Sequence, residues 1–199
     1  KSLAESIKKD YVEQLNGTRR WLQDYRKEVQ AFKEYRGREV FELLQNADDA
    51  CSEIVEISVD TKENTLTIMN SGPQTVLFDE EGIQSIMLSD MSPKKGKRMI
   101  GAKGLGFRSV LNWTDKVQII SGNVSLKFGE DIVKCFWEKW KSDIVGAETY
   151  EKEAKNDGRE VPLAVLALPE INHITPDPSR STSVILTYDH AVEQSILDN

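Results

Sequence analysis

Apolar residues recur at four-residue steps from the start of the chain: Leu3, Ile7, Tyr11 and Leu15, then Trp21, Tyr25, Val29 and Phe32. That period predicts two helices over residues 2 to about 36, split near Asn16-Gly17-Thr18, with Thr18 capping the second. Together they form an N-terminal arm that packs on the core, dimer contact being the sharper alternative. Gly37 breaks the pattern. Residues 41–50 (FELLQNADDA) then read as a helix ending near Cys51 or Ser52, with Phe41, Leu44 and Ala47 or Ala50 turned to the core. Residues 54–59 alternate apolar and polar positions, as a half-buried strand does. A turn at 61–64 leads to a second strand over 65–69, stopped by Asn70-Ser71-Gly72-Pro73. Residues 79–88 form a short helix with acidic side chains in its first turn, where the helix dipole favours them.

The next segment, SDMSPKKGKR at 89–98, is polar and runs straight into IGAKGLGF. A helix should begin in that glycine-rich stretch and continue through Phe107, Val110 and Leu111 to about Trp113. A hairpin is expected from 117–120 and 124–128 around Ser121-Gly122-Asn123. Residues 131–144 read as helix, 146–160 as charged and loose, 163–168 as a strand ended by Pro169, and 183–188 as the last strand. No repeat or low-complexity linker divides the chain. It reads as one domain over residues 1–199, an arm at 1–37 and a core at 38–199. Lacking an initiator Met, it is expected to be a piece of a larger protein.

Composition narrows the class. The 199 residues suffice for a sizeable core, and 39% hydrophobic with 30% charged content suits a water-exposed globular domain. A net charge of -7 argues against a general nucleic-acid coat. Cys51 and Cys135 are too few and too far apart for a zinc cluster or disulfide framework, and read as reduced thiols in a cytoplasmic setting. No apolar run approaches membrane-spanning length and no leader is visible. His173 and His190 lie in unrelated contexts, which disfavours triad hydrolysis. The tryptophans (Trp21, Trp113, Trp137, Trp140) read as packing residues, since none is interleaved with basic side chains as base stacking would need.

Two stretches carry chemistry. On the helix at 41–50, offsets of four and seven residues put Glu42, Asn46 and Asp49 on one face. Such a row costs free energy against a core unless each group is paired, so something polar should lie on it; a magnesium nucleotide would suit. Further along, Gly101, Gly104 and Gly106 allow the backbone to approach phosphate oxygens, and a helix starting there would aim free N–H groups at an anion. The string matches neither the P-loop nor the dinucleotide fingerprint, and alone it is only a tight helix entry.

Taken in order, the acidic-faced helix, the strand ending in Asn-Ser-Gly, the loop, GxxGxGF and WTDKVQIISG resemble the GHKL ATPases over roughly residues 38–122. That group comprises gyrase B subunits, the ninety-kilodalton heat-shock chaperones, histidine kinases and MutL. The strand at 181–186 resembles the one that closes the chaperone's nucleotide site. QNADDA, the Asn opening the second motif and LALPE look nearest to the sacsin-like branch. The resemblance implies an α+β, two-layer Bergerat fold: a mixed, mostly antiparallel sheet with helices on one face and an ATP lid.

It also implies roles. Glu42 would be the general base that polarises the attacking water. Asn46 would hold Mg²⁺ through its side-chain oxygen. Asp49 would line the base and ribose side, and Gly72 would leave room for adenine. Gly101, Gly104 and Gly106, with Leu105 and Phe107, would wrap the phosphates, Lys103 being a charge partner, and Thr182 would join the network near adenine. Two departures stand out. Asn70 replaces the usual Asp that accepts from the adenine amino group, and Gln74 replaces a usual Gly. An Asn oxygen can still accept that bond, and its NH₂ can donate. The run Lys94-Lys95-Gly96-Lys97-Arg98 ranks first as part of the lid, second as bare surface and third as a DNA contact.

The expected function is Mg²⁺-dependent binding of ATP and slow hydrolysis to ADP and phosphate, weak in isolation, with lid closure driving conformational change or an ATP-dependent homodimer of a larger protein. Further C-terminal domains are expected partners; nucleic acid and membrane are not indicated. The alternative is a nucleotide-sensing switch that never hydrolyses. A histidine kinase is set aside, because residues 1–37 contain no His.

Overall fold

The computed structural model describes Lys9, residues 11–13, residues 20–87 and residues 106–198. Within them the fold is α+β, built on a six-stranded sheet in the order β1-β2-β6-β3-β4-β5. The strands are β1 (Ile54–Asp60), β2 (Thr65–Ser71), β3 (Lys116–Ser121), β4 (Val124–Phe128), β5 (Glu170–His173) and β6 (Thr182–Thr187). Every pairing is antiparallel, which corrects the expectation of a mixed sheet. The helices are α1 (Arg20–Glu34), α2 (Glu39–Asp49), α3 (Glu80–Met87), α4 (Glu130–Trp140), α5 (Ala147–Asn156) and α6 (Glu193–Leu197).

Why the last strand sits in the middle follows from its side chains. In β6, Thr182, Ser183, Val184 and Leu186 are all buried, so both edges and much of both faces need cover. β2 and β3 supply the edges, with Leu66 opposite Leu186 on one side and Val117 opposite Leu186 on the other. Leu66, Ile68, Val117, Ile119, Val184 and Leu186 thus share one face, the one that meets the apolar core. The β3–β4 hairpin turns at Gly122-Asn123, and Gly122 takes φ +55, a left-handed value that a glycine in this position of a two-residue turn supplies cheaply.

Three expected elements come out differently. β1 alternates in sequence as foreseen, yet six of its seven positions are exposed, Ile54 and Ile57 among them. It is an outer strand with β2 on one side, so period-two patterning here does not signal burial. Residues 146–160, expected to be loose, include helix α5; its Tyr150 and Ala154 are buried, and its Glu151 accepts a 2.7 Å hydrogen bond from the Trp137 indole of α4. Residues 163–168 are not a strand. They are buried throughout and turn through a 3-10 segment at Val165–Ala167. A uniform apolar run does not distinguish strand from helix, and here the backbone finds its partner in a side chain.

That partner is Glu28 of α1. Its carboxylate accepts from Val165 N at 2.7 Å and from Leu166 N at 3.0 Å, and the residue is 1% exposed. This bond fixes the arm helix to the LALPE segment. Loss of hydration raises the Glu28 pKa, partly offset by the two N–H groups and by the charge of Arg108. Of the expected first helix, Lys9 and residues 11–13 are helical and Tyr11 and Val12 are buried, while its remainder and the Thr18 cap lie outside the described residues.

The raised pKa has a sign that can be checked. A carboxyl whose folded pKa exceeds its unfolded value stabilises the fold below the unfolded value, and that contribution is lost as pH rises through the folded one. Denaturant unfolding of wild type and Glu28→Gln should show wild type losing ground to the variant as pH rises above the ordinary glutamate range. A pH-independent difference would mean that folding does not raise the Glu28 pKa.

Candidate functional site

Helix α2 carries the acidic row, but its buried stripe is not the expected one. Leu43 and Ala47 are buried with Val40 packed beside them, whereas Phe41 is 59% and Leu44 37% exposed. The expectation that Phe41 and Leu44 face the core is therefore corrected. The core stripe is rotated by a residue, and this brings Glu42 inward to 6% exposure. On the helical wheel Asn46 falls between Glu42 and Leu43, both buried, yet Asn46 is itself exposed. Asp49 is half-buried one turn on. The row thus runs from a buried carboxylate to an open carboxamide.

What lies against Glu42 is the end of the glycine-rich stretch. The chain from Gly106 to Asn112 forms a 3-10 helix, not the expected α-helix, and residues 106–110 are all buried. A Cβ built on Gly106 would stand 2.0 Å from Glu42 Oε2 and 2.8 Å from its Cδ. A side chain at this position would have to displace the Glu42 carboxylate. Phe107 turns into the hydrophobic core, with Val110 and Trp113 nearby in the same cluster. Gly101, Lys103, Gly104 and Leu105, together with the proposed lid at 89–98, lie outside the described residues.

Four further contacts hold this apposition, and none was foreseen. Asn112 donates to Glu39 Oε1 at 2.9 Å, and Gly37 N donates to the same oxygen at 3.1 Å. The first turn of α2 is thereby tied to the far end of the 3-10 helix. Arg108, 1% exposed, donates to the Ile86 carbonyl of α3 at 2.6 Å. Arg38 meets Glu42 Oε1 at 3.1 Å and lies over the rings of Tyr35 and Phe41. Its four-residue offset from Glu42 was the available signal.

A second polar group forms at the ends of the central strands. Asn70 pairs with Thr182 across β2 and β6, and Ser121 pairs with Thr182 across β3 and β6. Because side chains alternate, all three share the face of Leu66, Ile68 and Val184. The hydroxyls of Ser121 and Thr182 are 2.8 Å apart, and Ser121 Oγ accepts from Phe78 N at 3.0 Å. Asn70 Oδ1 is buried without a hydrogen-bond partner, as is Thr75 Oγ1. Such orphaned acceptors normally cost roughly 1–3 kcal/mol each, so they mark a place where a ligand could complete the bonding. Gly72 is required by the chain itself: φ is +151, and a Cβ would meet Glu53 N at 2.9 Å and Thr75 Oγ1 at 3.1 Å. Pro73 and Gln74 form the middle of a turn closed by Thr75 N to Gly72 O at 3.1 Å, which accommodates Gln74 without a second glycine.

The structure therefore brings together Glu42 with Gly106, and Asn70 with Thr182. The glycine apposition predicts a coupled pair of substitutions. Gly106→Ala should cost about 1–3 kcal/mol in unfolding free energy. Combining it with Glu42→Ala should recover most of that loss, whereas additive losses in a double-mutant cycle would contradict the contact.

Among the described residues no helix is long and apolar enough to cross a membrane. No curated protein matches the chain. A protein-family model described as the Sacsin domain matches residues 24–155, which takes in most of α1, all of α2, the hairpin β1–β2, the Gly106 segment, α4 and nearly all of α5. That span exceeds half of the chain and contains Glu42, Asn46, Asn70 and Gly106, so the protein belongs to the Sacsin domain family.

Proposed function

We propose that the chain is a GHKL-type, sacsin-like nucleotide-binding domain of the Bergerat fold that binds ATP with Mg²⁺ and hydrolyses it slowly to ADP and phosphate. The observation that carries this reading is the buried Glu42 carboxylate pressed on Gly106, with the exposed Asn46 one turn away. A catalytic carboxylate needs to be held, partly dehydrated and close to where phosphate would lie. A glycine at the contact lets backbone N–H groups come within reach of the same place. The purine would lie at Asn70, Thr182 and Ser121, where the buried Asn70 side-chain oxygen lacks a partner beside the bonded hydroxyl pair.

The donor set at Asn46 fits Mg²⁺. An amide oxygen is a hard ligand, and among the described residues no group of three or more His, Cys, Asp or Glu could hold a metal, so most ligands would come from phosphate and water. Bound there, the metal would neutralise phosphate charge and orient the terminal phosphoryl group. Glu42 would take up the proton of the attacking water, and Asp49 would face the sugar. Binding would be coupled to conformational change or dimerisation in a larger, cytoplasmic protein.

Arg38 favours a second reading. Its ion pair engages one of the two Glu42 carboxylate oxygens, Oε1, as in a switch that binds nucleotide and never turns it over. Phosphate release by the intact protein decides between them. Under the ATPase reading Glu42→Ala lowers the rate at least about 100-fold and leaves ATP binding in place. Equal, negligible rates in wild type and variant, with ATP still bound, would favour the switch.

A companion prediction concerns Asn46. Asn46→Ala should weaken ATP binding strongly when Mg²⁺ is present and little when it is chelated, as read by calorimetry. An equal loss in both conditions would remove Asn46 from the metal site.

A further inference from the structure

We propose that Asn70 makes the base end of this site accept 6-oxopurine nucleotides, the inosine and guanosine phosphates, alongside ATP. The inference rests on the nucleotide reading above and concerns only which base is taken. The strand register sets Asn70, Thr182 and Ser121 side by side on the core-facing side of β2, β6 and β3. None of the three carries a charge.

Their hydrogen-bonding capacity can be counted. The hydroxyls of Ser121 and Thr182 bring two protons, and the 2.8 Å bond between them uses one, whichever oxygen donates. The bond from Phe78 N uses only a lone pair of Ser121. One hydroxyl proton is left over. Beside it stands the carboxamide of Asn70, whose oxygen is buried and unpartnered. The row thus offers both donors and acceptors to whatever lies against it, and contains no group that can only accept.

Purines differ at the edge such a row would read. A 6-aminopurine presents an NH₂ donor beside an acceptor nitrogen; a 6-oxopurine presents an acceptor oxygen beside an N–H. Set against the 6-substituent, a carboxylate in place of Asn70 would pair with the amino group of the first and repel the oxygen of the second. A carboxamide pairs with either, because turning it over exchanges C=O and NH₂ in one plane. Strong selection between analogues requires a buried group left unpaired by the wrong one, and a neutral row that adapts leaves none.

The test is calorimetric titration of the intact, Mg²⁺-supplied protein with ATP, ITP and GTP, repeated on Asn70→Asp. ITP isolates the 6-position, since it lacks the 2-amino group of GTP. Wild type is expected to bind ITP within about tenfold of ATP, and Asn70→Asp to widen that ratio by a further tenfold or more. A wild-type preference for ATP over ITP of about 100-fold or more overturns the proposal, as does a ratio that Asn70→Asp leaves unmoved. The wild-type ratio alone decides if the variant does not fold. Binding of ATP with none of ITP defeats this inference and spares the nucleotide reading, whereas no binding of any of the three defeats both.

Discussion

A carboxylate and a glycine in contact set the arrangement of this domain. Glu42 on α2 lies where a side chain on the residue opposite would stand, and Gly106 opens a 3-10 helix that is buried from Gly106 to Val110. Phe107 and Val110 anchor that helix in the core, Asn112 ties it to Glu39, and Arg108 ties it to the end of α3. Each bond is ordinary in strength. Their joint effect is to hold the Gly106 backbone against the Glu42 carboxylate. Arg38 supplies the countercharge that makes a nearly buried Glu42 tolerable, while its own side chain is largely exposed.

The sheet contributes a different kind of constraint. Because β6 is drawn between β2 and β3, residues far apart in sequence arrive at one rung, and Asn70, Thr182 and Ser121 become neighbours. Below them the same face is wholly apolar, which leaves the row as the polar margin of the core. An unpartnered buried oxygen at such a margin destabilises the free protein, and a ligand that bonds to it recovers that cost on binding. Glu28 shows the opposite solution. There a fully buried carboxylate is completed within the chain by Val165 and Leu166, so it joins arm to core and offers nothing to a ligand.

Much of this was readable from residues alone, where local spacing decides. The helix periodicity of α1 and α2, the Gly122 hairpin and the strands β2 and β6 follow from patterns of one kind each. Errors arose where burial depends on distant partners. The alternation at 54–59 could not reveal that β1 would be an outer strand, and the apolar run at 163–168 could not reveal a cap from Glu28. Phe41 and Leu44 looked like core because they are apolar, but the register of α2 is set by Leu43 and Ala47 packing inward. At the site, Glu42, Asn46, Asn70, Gly72, Gly106 and Thr182 were all singled out in sequence. Ser121, Glu39 and Asn112 were not, since an ordinary Ser in a strand and an Asn–Glu pair separated by 73 positions leave no local trace.

Under the proposed function one Mg²⁺-nucleotide spans the distance from Asn46 and Glu42 to Asn70. A crystal structure of the intact protein with a non-hydrolysable ATP analogue and Mg²⁺ tests this. A metal is expected about 2.1 Å from the Asn46 side-chain oxygen, with phosphates at Gly106 and the purine hydrogen-bonded to Asn70. Purine density away from Asn70 and Gly72, or a metal that Asn46 does not touch, would contradict it.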